Sequence, residues 1–438
     1  MKFVIIMLML SISLSSLAEN KQALTIKNAL ILAEKKNPYF LAETNKLEVA
    51  KAEHQTAKLL PNPNFNNQEL ITSNYQRSNG GQVYVNELGT TVPIPSKTYP
   101  TFSRWNRQDW LQLTMKIPVA GQRSYAIRLA QKNLAVTYKN LEEFKRNLFF
   151  LVATKWMEVW LSGQKLQFIQ KAKKYSDELL KINEIRLKNQ VITKAEYNRT
   201  RILSEQYIAS YLTEEQNYKN ELENLRLLVG DESINSIQSD YSLPIKNKED
   251  MDYDSLVNYA LLNRTDISGV KLEQESAFIN LELQKANSYP QPEVGLILNP
   301  QNGQKYYGTY LSLPLPIFNR NQGGIRASQA VVKNKIDLYN AMEWNIKKEV
   351  KNALGSFQVA DTNYKMYTNI YELSDNVLET IKYSYLKGGT TIIDYLEAQK
   401  SWFEAQDLLF TSIYVYKKSY LELLYVTGKI LKYDEWNK

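Results

Sequence analysis

The sequence predicts a mainly α-helical chain with a small membrane-type β portion, built from long coiled-coil hairpins plus four short β-strands. Three observations carry this prediction. The chain is written twice, each copy contains a helical pattern of roughly 66 residues, and four short runs alternate apolar and polar side chains.

The duplication shows in punctuation residues. Pro290 and Pro292 in "ANSYPQPEV" lie 229 positions after Pro61 and Pro63 in "AKLLPNPNF". Pro316, Thr391, Asp394 and Gly428 each lie 198 positions after Pro118, Thr193, Glu196 and Gly230. One insertion of 31 residues between Pro63 and Pro118 accounts for the difference. The division expected is a signal peptide at 1–18, a first repeat at 19–230, and an equatorial connector at 231–253. A second repeat at 254–428 and a tail at 429–438 complete it.

The leader comes first. Lys2, the apolar run Phe3 to Leu10 and the small residues ending in Ala18 follow the plan of a secretory signal, with cleavage expected near Ala18. The mature chain is therefore expected outside the cytoplasm. With no cysteine in 438 residues there is neither a disulfide framework nor a thiolate metal site. No later apolar run reaches the roughly 20 residues of a membrane helix. The net charge of +8 is spread along the chain without an arginine block, which argues for a solvated surface and against nucleic acid.

Each copy then opens with a helix, Leu24 to Leu60 and about Asp254 to Tyr289. Two strand-like runs follow, and then the long helix, about Gln122 to Lys188 and Gln322 to Lys387. At 1.5 Å per residue such a helix spans about 100 Å. Leu134, Leu141 and Leu148 recur at seven, with Tyr138 and Phe144 near the same face, a stripe suited to coiled-coil packing. A tight turn and a return helix end each copy, about Thr193 to Val229 and Thr391 to Thr427. Thr193 with Glu196, and Thr391 with Asp394, have capping-box spacing, and Gly388 with Gly389 permits a left-handed helix exit.

The strands come from "NFNNQELI", "WLQLTMKIP", "PEVGLILNP" and "GTYLSLPLP". Leu111, Leu113, Met115 and Ile117 share one face, as do Val294, Leu296 and Leu298, and also Thr309, Leu311, Leu313 and Leu315. Alternation alone suits a membrane barrel and a soluble sheet resting on helices equally. Four strands cannot enclose a pore, and membrane strands leave no unpaired edge, so a barrel requires several chains. Pro118 and Pro316 are then joints between strand and helix, where ladder pairing stops and the first helical turn is pre-set.

Enzymatic chemistry lacks carriers. His54 is the single histidine, and a metal or nucleophile cluster has no support. "NGG" at Asn79 and "NQGG" at Asn321 lack phosphate-loop spacing. No cofactor and no metal site are expected.

At the level of motifs the chain resembles the TolC-like outer-membrane efflux ducts across its mature length. The carriers are the P-x-P pairs at Pro61 and Pro290, "LPLPIFNRNQGG", "YLKGGTTIIDYLEAQ" and the duplication itself. "LPLPIFNRNQG" is most similar to the heavy-metal branch of such ducts, the cobalt–zinc–cadmium or copper–silver type. The resemblance implies a homotrimer with a twelve-stranded barrel in the outer membrane of a Gram-negative bacterium and a periplasmic α-barrel. It implies a periplasmic adaptor and an inner-membrane resistance-nodulation-division (RND) pump as partners, with outer-membrane lipid around the strands. It places Asp394, Glu397 and Tyr385 at a periplasmic aperture, the acids forming cation-attracting rings. It places adaptor docking at the tips, Asn189, Gln190, Val191, Ile192, Thr193, Gly388, Gly389, Thr390 and Thr391. Thr390 stands where some relatives carry a basic latch, and the lipidated cysteine of many relatives is missing. A multidrug or type I polypeptide export duct, or a periplasmic coiled-coil protein without a pore, are the competing readings.

Overall fold

A computed structural model describes residues 23–72, 83–85, 87–93, 106–238, 251–301 and 304–432. The expected signal peptide, most of the connector and the last residues of the tail lie outside them. Helices α1 (Ile26–Lys36) and α2 (Pro38–Lys58) lead into strand β1 (Asn64–Thr72). A short hairpin, β2 (Val83–Val85) and β3 (Thr91–Pro93), precedes β4 (Asn106–Lys116). Helices α3 (Gln122–Lys188) and α4 (Lys194–Val229) close the first copy. The second copy runs through α5 (Tyr253–Asn263), α6 (Thr265–Ala286), β5 (Glu293–Gln301) and β6 (Gln304–Ser312). It ends with α7 (Gln322–Lys387) and α8 (Ile392–Val426). The long and return helices thus match the sequence expectation closely.

Each opening helix, expected to be continuous, is instead broken in two. In the first copy Pro38 explains it, since proline forces its predecessor out of the helical region and carries no N–H. Asn37 adopts extended backbone there and caps α2, its Oδ1 accepting from Phe40 N at 2.9 Å. Its Nδ2 donates to Leu228 O at 2.7 Å, tying the break to the end of α4. Gly230 follows with φ 77°, and a Cβ there would lie 2.5 Å from Lys36 O. Only glycine tolerates both the left-handed backbone and the close approach.

In the second copy no proline marks the break, and a charge cluster holds it. Arg264 is extended, φ −66° and ψ 136°, and buried. Its guanidinium donates to both oxygens of Asp266 at 3.1 and 2.6 Å, to Glu349 Oε2 at 2.6 Å and to Val426 O at 3.0 Å. Buried Arg146 donates to Glu143, to Tyr425 O at 2.8 Å and, more distantly, to Asp266, and its guanidinium stacks 4.2 Å from the Tyr425 ring. Burial opposes charge on Asp266, but Arg264 and Arg146 outweigh it and hold the carboxyl below its usual range. Such a network fixes one geometry more than it adds net stability.

Two compact units result. One gathers the described parts of Met1–Glu48, Val136–Lys271 and Leu338–Lys438. Its apolar core includes Phe149, Trp156, Met157, Leu225, Ile346, Phe357 and Leu421. Trp156 Nε1 donates to Leu24 O at 3.0 Å, so the largest core side chain is also polar-satisfied. Leu148 joins this core, whereas Tyr138, expected near the same face, is half exposed.

The other unit gathers the described parts of Val49–Ala135 and Leu272–Asp337 and contains the sheet. Its strand order is β1-β4-β5-β6, every pair antiparallel. The register aligns Phe65, Leu113, Leu296 and Thr309 in one row, with Met115, Val294 and Leu311 in another. Leu111, Leu298 and Tyr307 share that face, while Asn64, Asn66, Gln112, Thr114 and Tyr310 occupy the reverse. The apolar face is open: Leu296 is 66% and Leu311 72% exposed. Gly295 lets β4 and β5 approach, since a Cβ would lie 2.3 Å from Leu113 O. Beside it, buried Thr114 donates to Glu293 Oε1 at 2.5 Å.

The joints differ from expectation. Strands β4 and β6 end at Lys116 and Ser312, with one further cross-strand bond from Ile117 N to Pro292 O at 2.9 Å just before Pro118. Leu313 and Leu315 lie beyond the strand, and neither Pro118 nor Pro316 sits in a helical first turn. Buried Gln122 starts α3 instead. Its Oε1 accepts from Val119 N at 3.2 Å, and its Nε2 donates to Ala286 O and Tyr289 O, each at 3.0 Å. At α7, Asn321 Nδ2 donates to Gln284 O and Oε1, each at 2.8 Å, and Gln322 Oε1 accepts from Arg320 N at 2.8 Å. Amide side chains, bonded to the turn before each helix and to the end of α6, hold both helix starts in place of proline.

Candidate functional site at the hairpin tips

The tips lie within the helical unit, where α3 turns into α4 and α7 into α8. Both turns end the long helix in the same way. Val191 N donates to Arg186 O at 2.8 Å and Gly389 N to Ser384 O at 2.9 Å, the bond that satisfies a late helical carbonyl. The residue before each is left-handed, Gln190 with φ 59° and Gly388 with φ 80°. The first tip thus holds a strained glutamine where the second has glycine.

Both return helices open on complete capping boxes. Thr193 Oγ1 accepts from Glu196 N at 3.2 Å and Glu196 Oε2 accepts from Thr193 N at 2.7 Å. In the second tip Thr391 Oγ1 accepts from Asp394 N at 3.2 Å. Asp394 Oδ2 takes three donors, the hydroxyls of Thr391 at 2.6 Å and Thr390 at 2.7 Å and the N–H of Thr391 at 3.0 Å. Those two hydroxyls, then the N–H, hold the Asp394 carboxyl below the ordinary range. For Glu196 the Thr193 N–H leads and the hydroxyl follows.

Asp394 and Glu397 both lie on the exposed strip of α8, one turn apart. Tyr385, grouped with them from sequence, packs inside the same tip: it is buried, 4% exposed, in a cluster with Leu179, Ile392 and Tyr395. Its ring stacks on Tyr395 at 5.3 Å and 4°, with the Arg186 guanidinium 4.6 Å from its centroid. Burial, then the charge of Glu379, pushes Tyr395 up to about 12. The Tyr385 hydroxyl donates to Asn183 Oδ1 at 2.7 Å, and Asn183 Nδ2 donates to Thr200 Oγ1 at 2.8 Å. Thr200 passes the chain to Glu196 O at 3.2 Å. A continuous polar relay therefore joins α7 to the capped start of α4.

Asn183, Thr200 and Arg186 were not expected from sequence. A signal existed for one of them, since Asn183 interrupts the apolar spacing set by Leu179. Beyond the first tip an open depression on α4 is lined by Asn198, Arg201, Ile202, Glu205, Gln206 and Ala209. Among the described residues no helix is long and apolar enough to cross a membrane, and no His/Asp/Glu cluster could hold a metal ion. Thr390, expected as a departed latch, serves the Asp394 cap.

The chain has no significant sequence match among curated proteins. Its fold is shared with solved outer-membrane channels at low sequence identity. A structure of CusC is 16% identical, with TM-score 0.74, over 92% of this chain and 91% of that one. The Campylobacter jejuni CmeC outer membrane channel is 16% identical, with TM-score 0.74, over 96% and 90%. The open state of the Neisseria gonorrhoeae MtrE outer membrane channel is 15% identical, with TM-score 0.72, over 92% and 88%. Within the second copy, residues 256–429 match the model of the outer membrane efflux protein family.

Proposed function

We propose that this chain is the exit duct of a tripartite efflux system, a non-enzymatic conduit through the outer membrane. The observation that carries the reading is the sheet. It exposes large apolar side chains on one face, among them Phe65, Leu113, Leu296 and Leu311, and among the described residues β1 pairs only with β4 and β6 only with β5. Two open edges and an uncovered apolar face are a liability in water, and both vanish when copies close side by side in lipid. Three copies would supply twelve strands. A soluble sheet resting on its own helices would hide the face that is open here.

In that assembly the tips form the periplasmic aperture and meet the adaptor, with Asn189–Thr193 and Gly388–Thr391 as docking loops. The exposed depression on α4 extends this surface. Asp394 and Glu397 would repeat around the axis and favour cations in a narrow mouth. The partners are an adaptor and an inner-membrane RND pump.

For cargo we favour heavy-metal cations, a reading that rests on "LPLPIFNRNQG". The fold likeness to CusC and CmeC is equal and assigns no cargo. Deleting the gene and growing cells on graded zinc, cadmium, copper and silver alongside hydrophobic drugs tests this. Metal sensitivity supports the assignment, and sensitivity to drugs alone replaces it with multidrug export.

A further inference from the structure

We propose that the helix-proximal end of the sheet is a headgroup-binding belt for anionic phospholipid, an inference that rests on the membrane reading of the sheet. The antiparallel register brings the start of β1 and β5 and the end of β4 and β6 to one end, since Lys116 opposes Glu293 and Glu293 opposes Ser312. The segments leaving that end expose large apolar groups: Leu59, Leu60, Tyr289, Leu315, Ile317 and Phe318. Phe318 is 91% exposed yet sits in a fixed turn. Gln322 Nε2 donates to Phe318 O, and Arg320 Nε to Pro316 O, each at 3.1 Å.

The same end is basic. Lys58, Arg123, Arg320 and Arg326 are exposed around it. Its nearby acids are engaged, Glu293 with Thr114 and Glu282 with Lys285. Aromatic and cationic side chains at the border of an apolar band are what a headgroup layer selects, and cations select its anionic members. A second copy would set the same positive charges against these, and free phosphate would leave the apolar groups uncovered. The occupant that answers both is a lipid such as phosphatidylglycerol.

The absence of cysteine permits a clean test with the full chain. Phe318→Cys and Leu296→Cys carry a spin label in vesicles of phosphatidylcholine with or without phosphatidylglycerol. The label at 296 is expected at acyl-chain depth and that at 318 at headgroup depth. Spin-labelled phosphatidylglycerol is expected to bind the unlabelled protein at least fivefold better than phosphatidylcholine. Arg320→Gln lowers that preference by about fivefold, and Arg320→Lys retains it. A label at 318 that reports water, or shielding from both water and lipid by a neighbouring copy, overturns the belt while 296 in lipid preserves the membrane reading. Equal binding of the two lipids overturns it as well. Labels at both positions in water sink the membrane reading itself.

Discussion

Tyr385 and Asn183, 202 positions apart, are joined by a hydrogen bond of 2.7 Å that links the second hairpin to the first. Asn183 is fully buried, so its carbonyl oxygen has no water to turn to. Tyr385→Phe keeps the stacking on Tyr395 and removes only the donor. The expected cost is about 1–3 kcal/mol, the penalty of an unpaired buried acceptor. Hydrogen exchange at α3 and α7 near the tips should rise while the Trp156 core stays protected; uniform exchange would show that the relay does not hold the hairpins.

The first tip stores strain that the second avoids. Gln190→Gly is expected to stabilise that turn by about 1 kcal/mol, because glycine adopts φ 59° without the Cβ clash. Gly388→Ala should destabilise the second tip by a similar amount. Differential hydrogen exchange of the two turns checks both signs.

The two aperture acids should separate by function. Asp394 is committed to the cap through three donors, whereas Glu397 carries no such role. In single-channel recordings Glu397→Gln is expected to reduce cation preference with the tip intact. Asp394→Asn should loosen the start of α8 as well, costing about 0.5–2 kcal/mol of local stability. Unchanged selectivity in the double variant would remove the ring from the account.

One acid-labile contact follows from Asp231. The hydrogen bond from Lys36, then those from Ser233, lower its carboxyl from 3.8 to about 2. A depressed carboxyl adds stability that is complete above the unfolded value and disappears as pH falls through the folded one. The stability gap between the native chain and Asp231→Asn should therefore be flat near neutrality. It should narrow from about pH 3.8 and close near about 2. Acid-titrated thermal unfolding of the two chains measures it.

Much of this was legible because the signals are local. The long helices were expected at about Gln122 to Lys188 and Gln322 to Lys387, where they lie, and both threonine caps are written at spacing three. What the sequence hid is long-range. The break at Arg264 has no proline, and the cluster that holds it reaches Glu349 and Val426, 85 and 162 residues away. The bond from Tyr385 to Asn183 was hidden because its partner lies in the other copy. Pro118 directly follows the last cross-strand bond, from Ile117 N to Pro292 O, whereas Pro316 lies past the end of β6 at Ser312, a difference that proline spacing does not report. The β2–β3 hairpin inside the insertion carried too few residues to show a period.

The central claim is that neighbouring copies pair β1 with β6 to close a barrel. Within one chain two strands separate those edges, about 14 Å at the usual spacing, too far for a disulfide. In the cysteine-free chain, Phe65→Cys and Asn67→Cys are combined in turn with Tyr307→Cys and Thr309→Cys, oxidised in detergent and sized without reductant. The account expects cross-linked dimers and trimers with nothing larger, for at least one combination. Monomers that stay monomeric for every combination, and that need no detergent to remain in solution, would contradict it.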